Sequence, residues 1–167
     1  MKLSNPFKRK KPNVILILID GAGREDSLNL VPYYNELKKE SVFIKDLITY
    51  APYSIGALNA LFSGMNGNIN GVEGYYKSYN FDKKHIFTLT QYLKEAGYYT
   101  ALDFVIEDVI PSQGFDKIRT LGKDETKKVD LVKRHSEILT QLKNKEPFFL
   151  SLDYNQLALD IIPAVIK

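Results

Sequence analysis

"NVILILIDGAG", residues 13–23, is an aliphatic run from Val14 to Ile19 that stops on an acid, Asp20, and then on Gly21 and Gly23. An uninterrupted run of β-branched residues and Leu is the pattern of a strand buried on both faces of a parallel sheet. Two readings explain a carboxylate at the end of so apolar a strand. Asp20 stops the strand and starts a turn. Alternatively, the strand is a rigid post that holds Asp20 for a cation or a reacting group, because functional groups of α/β sheets collect at the carboxyl ends of strands.

The pattern outward from this strand alternates. Pro32–Glu40 starts with proline and has helical spacing. Ser41–Tyr50, "SVFIKDLITY", reads as a second strand. Within "APYSIGALNALFSG", residues 51–64, the segment Gly56–Phe62 is helical and Gly64 ends it. The Gly/Asn-rich loop at 64–74 lacks the Lys-Ser/Thr of a phosphate-binding loop. Thr88–Ala96 is a helix closed by Gly97, Tyr99–Val105 a third strand, and Val109–Leu121 a loop. Asp124–Leu142 reads as a long amphipathic helix with Val129, Val132, Ile138 and Leu142 inward, and Pro147 opens a fourth strand, "PFFLSLDY". Strands alternating with helices predict an α/β domain whose mostly parallel sheet is flanked by helices.

Composition sets the outer bounds. The 167 residues are 44% hydrophobic and 26% charged, enough apolar material to close one core. The net charge of +3 is concentrated at the start: residues 1–11 carry Lys2, Lys8, Arg9, Lys10 and Lys11 and no acid. Removing these five from the 23 Lys and Arg leaves 18 against 20 Asp and Glu, so the body is slightly acidic. A specific nucleic-acid binder is not expected, since it needs a basic face rather than a basic tail. Residues 1–11 are expected to be a solvated, frayed tail, which could touch anionic membrane weakly, and 12–167 one domain. The chain has no cysteine, which excludes disulfides, thiolate metal sites and cysteine nucleophiles. Val14–Ile19 is too short for a signal-peptide core, and no apolar stretch spans a bilayer, so a cytoplasmic location is expected.

Ser54 lies where the chain enters a helix. A helix N-terminus presents free N–H groups and partial positive charge, which stabilise an anion. A serine there is a simple N-cap, or it is a nucleophile if something lowers the pKa of its hydroxyl. His85 falls in a polar segment and His135 on a helix surface, so no Ser–His–acid arrangement is evident. The other activator is a metal cation, which Asp20 could hold. Asp103, Glu107 and Asp108 read as strand-end and loop charges. Asp153 lies in the fourth strand and could point toward the sheet's carboxyl edge. Tyr75, Tyr76 and Tyr79 read as half-buried packing or as the rim of a substrate mouth.

Five segments occur together in order: "KPNVILILIDGAG" (11–23), "APYSIGALNALFSGMNGNINGV" (51–72), "TLTQYLKEAGYYTA" (88–101), "QGFD" (113–116) and "PFFLSLDYN" (147–155). In that order and spacing the chain resembles the sulfatase-like members of the alkaline phosphatase superfamily. The resemblance implies a three-layer sandwich of helices about a mostly parallel sheet. It also implies metal-dependent hydrolysis or transfer of phosphate or sulfate esters, with Asp20 as a metal ligand and Ser54 as the nucleophile. The metal implied is Zn²⁺, Mn²⁺, Ca²⁺ or Mg²⁺.

The departures point toward phosphoryl chemistry. Gly21 replaces a second acid, as in the phosphate-cleaving branches. Gly56 and Leu58 stand where formylglycine formation needs Pro and Arg. Val105 and Glu107 stand where relatives carry Lys and His, and "NQLAL" (155–159) where they carry His. Relatives complete their metal site with residues well downstream, so this chain reads as the truncated N-terminal portion of such an enzyme, inactive as it stands. The alternative is a non-catalytic α/β binding module that kept the fold.

Overall fold

The computed structural model of the chain describes residues 10–21, 32–75, 77–104, 109–121 and 129–154. Val14–Ile19 forms β1, Tyr99–Asp103 β2, Lys117–Arg119 β3 and Phe148–Tyr154 β4. They make one sheet in the order β1-β4-β2-β3, and all three pairs are parallel. The helices are α1 (Pro32–Glu40), α2 (Ser54–Ser63), α3 (Gly67–Asn70), α4 (Leu89–Glu95) and α5 (Leu131–Leu142). The described helices include none long and apolar enough to cross a membrane.

Period-two alternation sorts the strands' side chains onto two faces. On one face, Leu16, Leu18, Leu102, Phe104 and Phe149 pack against Phe62 and Leu58 of α2 and Leu93 of α4. On the other, Ala101, Phe148, Leu150 and Leu152 pack against Ile138 and Leu142 of α5. Helices on both faces of a parallel sheet give three layers, as the resemblance implies.

Local chemistry ends the helices. Gly64 takes a left-handed φ of 67° and its N–H bonds to the Ala60 carbonyl at 2.8 Å, closing α2. Thr88 and Gln91 form a reciprocal capping box at the start of α4. The "QGFD" segment is a clamp. The Thr100 hydroxyl donates to the Gly114 carbonyl at 2.5 Å, and its N–H donates to the Asp116 carboxylate at 2.9 Å. Thr90 of α4 donates to the Gln113 carbonyl at 2.5 Å. Gly114 is required here: its φ is 83°, and a Cβ would sit 2.4 Å from the Gln91 nitrogen.

Several expectations need correction. Ser41–Tyr50 is not a strand; no neighbouring strand among the described residues pairs with it, and Val42 and Ile48 are over 85% exposed, at 90% and 93%. Strand propensity expresses itself only where a partner and a packed face exist. β1 is not buried on both faces: Leu16 and Leu18 are covered, whereas Ile15, Ile17 and Ile19 stay exposed beyond the reach of α5. The loop at 109–121 contains the three-residue β3, too short to show a period. The last helix starts at Leu131, because Asp130 caps it by accepting from the Lys133 N–H at 3.0 Å. Its inward stripe is Leu131, His135, Ile138 and Leu142, while Val132 is exposed. The tail residues 1–9, Tyr76, Val105, Glu107, Asp108, residues 122–128 and everything from Asn155 lie outside the described residues.

His135 is therefore not on a surface. It is 3% exposed, and its ring meets that of Tyr154 edge-on at 4.5 Å. Nearby, the buried carboxylate of Asp103 accepts from Arg134 Nε at 2.6 Å, with Arg119 Nε at 3.6 Å and Glu137 beyond it. Asp103 is thus a structural anchor that ties α5 and β3 to β2.

Two predictions follow from this packing. Gly114→Ala combines a forbidden φ with a backbone clash and should cost about 2 kcal/mol or more in urea unfolding. The second concerns pH. Burial pushes His135 below its ordinary value of 6.5, Asp103 pulls it back, and Arg134 and Arg119 push it further down. The unfolded chain then binds the proton first, so stability is full above about pH 6.5 and falls as pH drops below it. The urea midpoint should decline from about pH 7 to 5, and His135→Leu should flatten that decline.

Candidate active site

β1 and β4 end at a cavity of about 410 Å³. Its walls are Leu18, Ile19, Ile55, Ala57, Leu58, Phe104 and Val109, and its polar side chains are Asp20, Ser54, Tyr75 and Asp153. Apolar walls with a few convergent polar groups are the usual form of a small-molecule site.

Backbone bonding fixes Asp20. Its N–H donates to the Tyr154 carbonyl at 3.0 Å, carrying the β1–β4 ladder one step past Ile19. The chain reverses at Gly21, whose φ of 76° takes the turn conformation itself. The turn therefore belongs to Gly21, and the Asp20 carboxylate is left to the cavity.

Ser54 is not the N-cap of α2. Tyr53 holds that position with extended backbone and makes no side-chain cap. Ser54 is the first helical residue, and its Oγ stands 3.5 Å from Asp20 Oδ2. That separation is long for a hydrogen bond between a hydroxyl and a carboxylate. The two groups face a common space more than they satisfy each other. The first N–H groups of a helix lack intrahelical partners, so the start of α2 adds partial positive charge beside them.

Two residues support this arrangement: Asn59, which was not singled out from the sequence, and Gly56, which was noted there only as standing in place of a Pro. Asn59 is 1% exposed and its Nδ2 donates to the Ile55 carbonyl at 2.8 Å and the Val109 carbonyl at 3.0 Å, fixing one wall to α2. An amide inside an otherwise apolar helix face was the available signal. Gly56 lets the Tyr53 ring lie over the first turn of α2; a Cβ there would meet Tyr53 Cε2 at 2.6 Å and Ala51 Cβ at 2.8 Å. The Tyr53 ring in turn contacts Tyr75 at 5.7 Å, so Gly56 sets the rim of the cavity.

Neither histidine lines the cavity. His85 is exposed and pairs with Asp82 at 2.9 Å, and this hydrogen bond holds the Asp82 carboxyl below its usual range. Among the described residues no group of three or more His, Asp or Glu converges to hold a metal ion. Asp20, Asp153 and Ser54 offer oxygen donors only, a set that suits hard cations. A second hollow of about 210 Å³ has Ser78, Tyr79, Lys83 and Ser112 in its walls and no carboxylate among the described residues that line it.

Comparison with known proteins gives a consistent placement. The Sulfatase family model matches residues 12–156. No curated protein matches at a significant level. Among solved structures, BT4656 in complex with its substrate D-glucosamine-2-N,6-O-disulfate is 17% identical, with a TM-score of 0.68 over 87% of this chain and 34% of that one. A protein in the alkaline phosphatase superfamily from Vibrio parahaemolyticus is 22% identical, with a TM-score of 0.64 over 86% of this chain and 40% of that one. At these identities the likeness concerns the fold, and the chain spans well under half the length of either structure.

Gly56→Ala tests the rim. Overpacking of about 1–3 kcal/mol is offset by about 1 kcal/mol of regained helix propensity, so the net loss of stability should be small. The Tyr53–Tyr75 ring contact should nevertheless disappear from the aromatic NOE spectrum. A preserved contact would remove the role assigned to Gly56.

Proposed function

The chain belongs to the sulfatase family, and from that premise we propose that it carries the nucleophile-bearing part of a metal-dependent ester hydrolase or transferase acting on phosphate esters in preference to sulfate esters. The observation that carries this reading is Ser54 Oγ at 3.5 Å from Asp20 Oδ2, at the first turn of α2, inside an apolar-walled cavity.

Asp20, seated by its backbone bond to Tyr154, would hold a divalent cation together with Ser54. Such a cation, when bound, lowers the pKa of the hydroxyl and neutralises charge on the ester oxygens. Ser54 Oγ would lose its proton to solvent and bond to phosphorus as the bridging ester oxygen departs with its electron pair and takes up a proton from water. The N–H groups at the start of α2 donate to the non-bridging oxygens. Water subsequently cleaves the Oγ–P bond, or an acceptor hydroxyl does so in a transferase, and Ser54 is regenerated.

The preference for phosphate rests on the segment Ser54-Ile55-Gly56-Ala57-Leu58. Gly56 is needed under the Tyr53 ring, so the Pro and Arg that accompany formylglycine formation are replaced by residues with other duties. An unmodified serine suits phosphoryl transfer through an ordinary phosphoester.

The absence of a three-ligand cluster among the described residues favours a second reading, a binding module that keeps the fold without turnover. Activity separates the two. Aryl phosphate should be hydrolysed faster than aryl sulfate by the polypeptide that carries this domain, in the presence of Mn²⁺. Ser54→Ala should reduce turnover by about 10³-fold or more while leaving the thermal midpoint unchanged. Unaltered turnover in that variant would rule out Ser54 as the nucleophile, and no turnover of either ester under any metal would favour the module.

A further inference from the structure

The cavity beside Ser54 runs from a polar end to an apolar one, and both of its long walls share that gradient. On α2, Ser54, Ala57 and Leu58 stand at i, i+3 and i+4, so they form one stripe along the helix, and all three line the cavity. Leu58 lies about 6 Å further along the helix axis than Ser54. On β1, Leu18 precedes Asp20 by two residues on the same face, about 7 Å back along the strand, and it too lines the cavity. Ser54 Oγ and Asp20 Oδ2, 3.5 Å apart, mark the polar end, and Leu58 and Leu18 lie below them. Leu18, Leu58 and Val109 pack on the cluster of Phe62 and Phe149 yet are only partly buried, as is Ile55 on its own cluster. Apolar side chains are thus left facing a cavity of about 410 Å³, within the range of about 300–1,000 Å³ typical of small-molecule sites. An apolar ligand group that displaces water from them gains free energy in proportion to the area it covers.

We propose that the end of the cavity at Leu18 and Leu58 is a subsite for an apolar ester group of the substrate, aryl or short alkyl, so that the site takes amphiphilic phosphate esters in preference to phosphorylated sugars. The inference rests on the reading of Ser54 as the nucleophile and adds the chemistry of the group attached to the phosphate. A depth of about 6–7 Å below Ser54 admits an aromatic ring or a short alkyl chain. The hydroxyls of a sugar placed there would lose water against Leu18, Leu58 and Val109 and gain no hydrogen bond from those side chains. Selection therefore comes from the floor of the cavity, while the phosphate stays at the level of Ser54.

2-Naphthol carries no phosphate and so tests the apolar end apart from the ester chemistry. Titrated into the full 167-residue chain with labelled Ile, Leu and Val methyl groups, it should give intermolecular NOEs to Leu18, Leu58 and Val109. With Mg²⁺ present, 2-naphthyl phosphate and hexyl phosphate should compete with it, and the tighter of the two tells an aryl group from an alkyl one. Glucosamine 6-phosphate should bind about tenfold or more weakly than that ester. Leu58→Asn should weaken naphthol binding about fivefold or more, whereas Val132→Asn, at an exposed position on α5, should leave it unchanged. Absent NOEs, or NOEs confined to the exposed Ile15, Ile17 and Ile19, overturn the inference, as does equal binding of the sugar phosphate; each leaves the role of Ser54 to its own turnover test. NOEs at Leu18 and Leu58 without turnover of either ester by the polypeptide that carries this domain keep the apolar subsite and overturn the nucleophile. The wild-type NOEs decide the matter even if Leu58→Asn fails to fold.

Discussion

The pairing of β1 with β4 is the constraint on which the candidate site depends. Its register sets Leu18 opposite Asp153 and Ile19 opposite Tyr154, and the Asp20 N–H extends the ladder to the Tyr154 carbonyl. A slip of one residue would turn every β1 side chain to the opposite face. Leu16 and Leu18 would leave the cluster with Phe62 and Phe149, and Asp20 would point toward the α5 side. The hydrophobic pattern of β1 and the placement of Asp20 are thus one choice. Burial of the two leucines, worth about 1.5–3 kcal/mol each if complete, orients the carboxylate.

The layers were legible in the sequence where periodicity and end signals agreed. The aliphatic runs of β1 and β4, Gly64 after α2, and Gly97 after α4 each have a local cause that the structure reproduces. What stayed hidden depended on contacts distant in sequence. Ser41–Tyr50 has strand composition but no described partner strand, so its propensity finds no ladder. His135 looked like a solvated residue, yet it lies three residues before Ile138 and seven before Leu142, so it shares their inward face, whereas Val132 does not. Residue polarity, rather than spacing, misassigned the histidine.

The site was legible to a similar depth. Asp20 and Ser54 were chosen from a strand end and a helix start, and the structure brings them within 3.5 Å. The reading of Ser54 as an N-cap fails because Tyr53 already holds that position. Asn59 and the packing role of Gly56 escaped notice because their partners, Val109 and the Tyr53 ring, come from the fold rather than from a motif. The "QGFD" segment carries no chemistry of its own: Gly114 and Asp116 bind Thr100, and Gln113 binds Thr90.

Acids at the carboxyl edge of this sheet have opposite fates on its two faces. Asp103 of β2 points toward α5, where Arg134 at 2.6 Å and Arg119 at 3.6 Å compensate a carboxylate that is otherwise fully enclosed. An enclosed charge without such partners would cost several kcal/mol, so the arginines are a condition of α5 docking at all. Asp20 and Asp153 point the other way, toward a cavity whose described lining is mostly apolar. Residue type is the same and distance along the strands is similar, so the difference lies in what the covering helix supplies. α5 brings the Arg134 guanidinium, and β3 adds that of Arg119. α2 brings a hydroxyl and the partial positive charge of its first turn. One face of the edge is closed by the protein's own charges, and the other opens onto the apolar-walled cavity beside the start of α2.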